Sequence, residues 1–385
     1  VLALRLARGT HPLVLLRRLL VSAASAGVGF LLLCTLGYAV DHPSGALLRL
    51  MWCVVPLATT VHFAVAVART DPSTRPRAGL SAVGLGPAQL TAIAAASTAV
   101  ACTLGSVVAL LVYLHLRGDI TGLPFDGTAA GLLAADRPMP LPGALTLLTV
   151  LPVSASAAAG LALRPRTRRP AEVSDPAHPE EPAAAPSGLP WGVTLVVAGL
   201  AVETYLSRGA GGSAFPTPGH PQGSRAGVLA GWALTALGLA VAGPGLAHFS
   251  GRLLQLARPG AARLLAGRVL MAEARRIGRP LGVVSAVASG AIAAAALYGR
   301  PGPHPFGPLT GLGATLVISC TVATLLTATL ESRHARAKTT AALLSLGTPT
   351  TLLRAAASLR ALALLAVFTP PTVAIGELAA LPLWH

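Results

Sequence analysis

The chain has 385 residues, of which 53% are hydrophobic and 11% charged, and its mean hydropathy is +0.68. Soluble domains carry about 25% charged residues, so a chain this apolar cannot hide its surface in one aqueous core, and its expected solvent is lipid. A net charge of +16 does not make it a nucleic-acid binder, because aromatic residues are only 4% and the arginines lie between apolar runs.

In chain order, nine spans are predicted: Leu19–Val40, Ala46–Ala68, Gln89–Leu116, Gly143–Leu163, Trp191–Leu206, Gly227–Phe249, Leu281–Tyr298, Leu309–Leu330 and Leu352–Val367. A helix rises about 1.5 Å per residue, so runs of this length cross a hydrocarbon layer of about 30 Å. The runs are continuously apolar, without the two-residue alternation of a membrane barrel. The expected fold is an all-α polytopic membrane protein with about nine transmembrane helices. The first run is expected to be a span rather than a removable leader, since many more follow it. Cys34, Cys53, Cys102 and Cys320 all fall in apolar runs without CxxC spacing. They read as small buried residues, not as disulfides or a zinc site.

With the N-terminus in the cytoplasm, inner segments hold 21 Lys/Arg and outer segments six. This positive-inside bias predicts a multi-pass cell-membrane protein in that orientation. The inner segment Arg164–Gly188, RPRTRRPAEVSDPAHPEEPAAAPSG, is Pro-rich and turns from basic to acidic, as a linker does. Residues 1–165 then form a first repeat of four spans and 166–189 the linker. Residues 190–249 hold two central spans, and 250–385 a second repeat of three.

The repeat is written into a short phrase. AVGLGPAQL (Ala82–Leu90) returns as LSLGTPTTLL (Leu344–Leu353), with Gly84 and Gly347 separated by 263 residues. At that offset Arg5 meets Arg268, Ser22 meets Ser285, Gly27 meets Gly290 and Leu80 meets Leu343. Each copy reads basic amphipathic segment, span, short outer loop, span, basic inner segment, glycine phrase, span. Six spans separate the two starts. An even number gives both copies the same direction, hence two parallel pseudo-repeats.

The basic segments Leu2–Arg18 and Ala261–Pro280 are expected as interfacial helices with arginines at lipid phosphates; the alternative is that they only mark topology. In the later inner segment, Glu331, Arg333, Arg336 and Lys338 continue a helix out of the membrane. Gly347 and Pro349 then break it, and a new helix starts with Thr348 or Thr350 able to cap it. The earlier copy, Arg69–Ile93, turns at Gly84, Gly86 and Pro87. A plain helical hairpin would need only a few turn residues, so both copies read as surfaces offered to a partner.

These segments resemble the FtsX-like permease family of ABC transporters. That family carries an acidic/basic run and then "LLRALGAS"-like residues between the second and third helix of each repeat. Leu343, Leu344, Leu346, Gly347 and Leu353 match that pattern, as do Leu80, Val83, Gly84, Gln89 and Leu90 in the first copy. The resemblance implies coupling helices that touch a separate ATP-binding ATPase subunit. Arg77, Leu80, Gly84 and Gln89 would form one contact segment. Glu331, Arg333, Arg336, Lys338, Leu343, Leu346 and Gly347 would form the other. It further implies a permease, paired as a homodimer or heterodimer, that exports an amphipathic lipid, peptide or drug-like substrate or transmits a mechanical signal.

The chain departs from the family in having Asp71, Pro72 and Pro76 where the first copy should carry Glu, and in lacking large outer domains. Pro370–His385 is expected to be too short for a further span, leaving nine where ten would be expected. The alternative reading is a membrane interaction or regulatory subunit that does not transport. An ion-coupled transporter would need paired midplane carboxylates, which the spans lack.

No enzyme activity, cofactor or metal is predicted. A Walker A loop needs Gly-Lys to hold phosphate, and the only lysine, Lys338, follows Ala337. Neither GxSxG nor HExxH occurs. The intramembrane polar residues are His62 and Glu203, with His115 beside them as a lesser candidate; ionisable groups in lipid are functional by default. Glu203 and His115 are expected near outer ends, in reach of interfacial water. Small residues at Ala92–Ser106 and Val283–Ala296 predict close helix contact and interhelical Ser/Thr hydrogen bonds.

Overall fold

The computed structural model describes residues 12–41, 43–71, 86–120, 127–130, 133, 138–164, 186–208, 223–256, 260–298 and 308–380. Over these residues the chain forms helices α1 (Pro12–Asp41), α2 (Pro43–Thr70), α3 (Pro87–Arg117), α4 (Leu141–Leu163), α5 (Gly188–Arg208), α6 (Gly223–Gln255), α7 (Ala261–Tyr298), α8 (Pro308–Ser345) and α9 (Thr350–Ala380). No strand occurs among the described residues. All nine helices are long and apolar enough to cross a membrane.

On α4 burial follows one stripe. The buried residues are Ala144, Leu148, Leu151, Pro152, Ala155 and Ala159, a spacing that traces one face. Leu145, Val153 and Leu161 are more than half exposed on the remainder. Such a face suits lipid, whose tails are as apolar as leucine. The chain is an all-α polytopic membrane protein.

The helices fall into two compact units. One gathers α1 to α4 with α8 up to Thr324; the other gathers α5, α6, α7 and α9 with α8 from Leu325. Helix α8 is therefore shared, and the units do not follow the linear partition of the sequence.

In the first unit α1 touches α2, α3 and α4. The small-residue run of α3 is where its neighbours close in. A Cβ on Gly105 would lie 2.2 Å from the Ser22 carbonyl oxygen. Ser25 Oγ donates to the Cys102 carbonyl at 2.7 Å, and Ser106 Oγ to the Leu148 carbonyl at 3.1 Å. These are the interhelical hydroxyl bonds expected of Ala92–Ser106. In Val283–Ala296, by contrast, Ser289 bonds back to Ala286 of its own helix. All four cysteines are buried and unpaired with one another.

In the second unit α6 runs between α5 and α7. Glycines set both contacts. A Cβ on Gly199 would lie 2.3 Å from Thr235 Oγ1 and 2.7 Å from the Gly231 carbonyl, and one on Gly243 would lie 2.1 Å from the Gly278 carbonyl. Side chains there would force the helices apart. The seven-residue recurrence of Gly231, Gly238 and Gly245 on α6, echoed by Gly192 and Gly199 on α5, is legible in the sequence.

Two expectations are corrected. Ala261–Pro280 is not a separate interfacial helix, because α7 runs unbroken through Pro280 to Tyr298. Contacts with α6 hold it on both sides of the proline: a Cβ on Gly278 would lie 2.4 Å from Pro244 Cα, and one on Gly282 would lie 2.3 Å from the Leu239 carbonyl. Likewise the ninth helix does not stop at Val367, since α9 continues through Pro370 and Pro371 to Ala380. Phe368 is buried just before those prolines, and Gly376 just after them meets Ile292 and the Ser289 carbonyl. Residues 370–380 of the segment read as too short for its own span therefore belong to the second half of α9, and residues 381–385 lie outside the described residues.

Candidate functional site

The glycine phrase of the second copy is a helix-bend-helix. Thr348 N–H donates to the Leu343 carbonyl at 3.1 Å and Gly347 N–H to the Leu344 carbonyl at 3.0 Å. These two bonds are a Schellman closure of α8, with Gly347 in the left-handed region at φ 83°. Neither Thr348 nor Thr350 caps α9 through its hydroxyl, which corrects that expectation; backbone groups close the turn instead. At its tip Leu346 is 81% exposed, an apolar side chain offered outward. Leu343 is half-buried.

Charges brace this extension against its neighbours. Arg336 Nε on α8 lies 3.1 Å from Glu273 Oε1 on α7. The same guanidinium donates to the Ser332 carbonyl at 3.1 Å and to Ser332 Oγ at 3.0 Å. Arg360 of α9 acts electrostatically on both members of the pair. Glu331 stands 4.0 Å from Arg276, an exposed guanidinium. That longer contact contributes about 0–1 kcal/mol, whereas the Glu273–Arg336 contact is shorter and its side chains are only 13% and 27% exposed. The Glu273–Arg336 contact is thus the principal tether. Arg333 on the same extension is exposed and in no ion pair among the described residues.

The first copy has a counterpart. Asp71, at the end of α2, is nearly buried and bonded to Arg18 of α1. In both copies a charge near the start of the repeat's first helix holds the extension of its second. The sequence missed this because Arg18 and Asp71 are 53 positions apart; Asp71 had read only as a departure from the family pattern.

Of the predicted contact residues in the first copy, Arg77, Leu80 and Gly84 lie outside the described residues. Gln89 is described, and its part is structural. Gly86 N–H donates to Gln89 Oε1 at 3.2 Å while Pro87 opens α3, a helix-start arrangement. In the second copy Lys338 belongs to α8, with its side chain outside the described residues.

The intramembrane polar residues separate. His62 is half-buried on α2, and His115 is half-buried near the end of α3. Glu203 is corrected most clearly: it is 1% exposed rather than in reach of interfacial water. Its Oε1 accepts the indole N–H of Trp232 at 2.6 Å, while Oε2 is buried and makes no hydrogen bond. Gly231, one position before that tryptophan, lets the α5 backbone approach α6, so Trp232 covers the carboxyl. Trp232 itself sits against Ala293, Ala379 and Ala380. His62, His115 and Glu203 are not brought together as a metal site; no cluster of three His/Cys/Asp/Glu exists among the described residues.

The fold and this site define the chain as a multi-pass helical membrane protein with a braced helix-bend-helix extension. Compared with family models, curated proteins and solved structures, the chain matches none.

Proposed function

We propose that the chain is the permease subunit of an ABC-type transporter, of the FtsX-like kind, working with a separate ATPase. On this reading the bend at Gly347 and its first-copy counterpart face the cytoplasm and take up ATPase movement. The spans pass that movement outward, extruding an amphipathic substrate from the membrane or delivering a mechanical stroke. One observation carries the reading: the α8 extension is tethered through Arg336 to Glu273 yet presents Leu346 and Arg333 outward. A tethered lever with an exposed tip is suited to transmit force. A mere connection between spans has no need of the tether.

The test is co-purification with a Walker-motif ATPase encoded beside this chain, followed by ATPase assay of the complex in vesicles. Arg333→Glu and Leu346→Glu are expected to weaken association and abolish stimulation while leaving folding intact. Absence of any association sinks the reading. Association that persists without any effect on ATPase turnover favours the non-transporting regulatory subunit.

A further inference from the structure

The α7 helix is longer than a bilayer requires. Its 38 residues span about 57 Å, against a hydrocarbon core of about 30 Å. The apolar stretch Leu281–Tyr298 is long enough to cross by itself, so the first half of the helix runs through the headgroup layer and beyond. That half carries Arg268, Arg275 and Arg279, all exposed. Spacings of seven and four residues keep them within roughly 40° of one another around the helix.

None of the three is in an ion pair among the described residues. Two acids on α7 and α8 are engaged by other arginines: Glu273 by Arg336, and Glu331 by Arg276. Arg276 points to α8, off the stripe. Three guanidiniums outside these pairs thus stand in a row beginning two positions before the apolar stretch. Arginine stems reach several ångströms along a helix, so Arg279 can snorkel outward and Arg268 reach inward to one phosphate layer.

We infer that Arg268, Arg275 and Arg279 form a binding stripe for anionic phospholipid headgroups, on the flank of a helix that continues into the membrane. The phosphates satisfy guanidinium groups that have no ion pair among the described residues, and the stripe selects acidic over zwitterionic lipid. This inference uses only the membrane-crossing helix and does not depend on an ATPase partner.

The full-length protein is reconstituted in phosphatidylcholine vesicles containing spin-labelled phosphatidylglycerol or spin-labelled phosphatidylcholine. The motionally restricted fraction of each probe is read by electron spin resonance. Wild type is expected to favour the glycerol lipid several-fold, with the preference falling as NaCl is raised. Up to about fivefold is expected per arginine near the surface. The triple variant R268Q/R275Q/R279Q should lose the preference, and the single variants should each lose part of it. R268K/R275K/R279K, which retains the charge, should keep most of it, and R354Q, altered elsewhere, should keep all of it. Equal association of both lipids with wild type overturns the proposal. So does a preference that survives in every single variant, a reading that remains available if the triple variant fails to fold.

Discussion

Trp232 donates its indole N–H to Glu203 at 2.6 Å, joining α6 to α5 inside a contact built on glycine. One carboxyl oxygen is satisfied and the other is buried without a partner. Trp232→Phe should therefore lower stability by about 1–3 kcal/mol, the cost of an unsatisfied buried polar group, beyond what the smaller ring loses. Glu203→Gln retains an acceptor for the indole and carries no charge, so it should leave stability unchanged or raise it. Thermal unfolding in detergent of Trp232→Phe, Glu203→Ala and their double variant measures the coupling, since each single variant removes the bond. Additive losses would show that the bond contributes nothing.

The tether at the α8 extension makes a second prediction. Glu273→Ala leaves Arg336 with only Ser332 on its own helix and removes a partly buried ion pair, so it should destabilise the extension by more than the roughly 1 kcal/mol that exposed pairs contribute. Glu331→Ala should cost less than about 1 kcal/mol, because its contact is long and Arg276 is exposed. Amide hydrogen exchange over residues 331–349 would read both. Equal protection loss in the two variants would remove the distinction between them.

Two glycines in the repeated phrases should respond oppositely. Gly347 holds φ 83° with open space around its missing side chain. Gly347→Ala is therefore penalised by conformation alone, at about 1–2 kcal/mol, and Gly347→Asn should be tolerated better. Gly86 has φ −70° and equally open space, so neither conformation nor crowding requires glycine there. Gly86→Ser, which gives the N-cap of α3 the side-chain acceptor it lacks, should be stabilising by a few tenths of a kcal/mol. Unfolding midpoints of the three variants decide the matter.

Gly199 and Gly231 face each other across α5 and α6. Gly199→Val would place methyl groups where Thr235 Oγ1 and the Gly231 carbonyl already stand. The helices must separate, and a loss of several kcal/mol is expected, at the upper end of overpacking costs of about 1–3 kcal/mol or beyond. Separation would also break the Trp232–Glu203 bond, so the tryptophan emission of this variant should shift relative to wild type. Full retention of stability would show that α5 and α6 are not held as close as described.

Much was legible because lipid imposes simple rules. Continuous apolarity over about 20 residues forces a helix, since backbone groups have no other partner in hydrocarbon. The nine runs therefore gave nine helices, and Gly347 gave a left-handed bend because few other residues enter that region. The burial of the four cysteines followed from their apolar neighbours. Where sequence reasoning failed, the deciding contacts were distant. Element ends expected at Pro280 and Val367 are not there, because neighbouring helices clamp the chain on both sides of Pro280 and of Pro370–Pro371. Asp71 read as a defect until Arg18 met it, and Glu203 read as exposed until α6 covered it.

By itself, then, the sequence determined the solvent, the helices and the glycine bend at Gly347, because hydrophobic length and backbone conformation are local properties of the chain. Tertiary structure alone decided which charges are tethered and which remain free. Glu273 takes Arg336, and Asp71 takes Arg18, while Arg268, Arg275, Arg279 and Arg333 are in no ion pair among the described residues. Pairing depends on which helices approach within a few ångströms, and close approach in this fold is set by glycines on other helices.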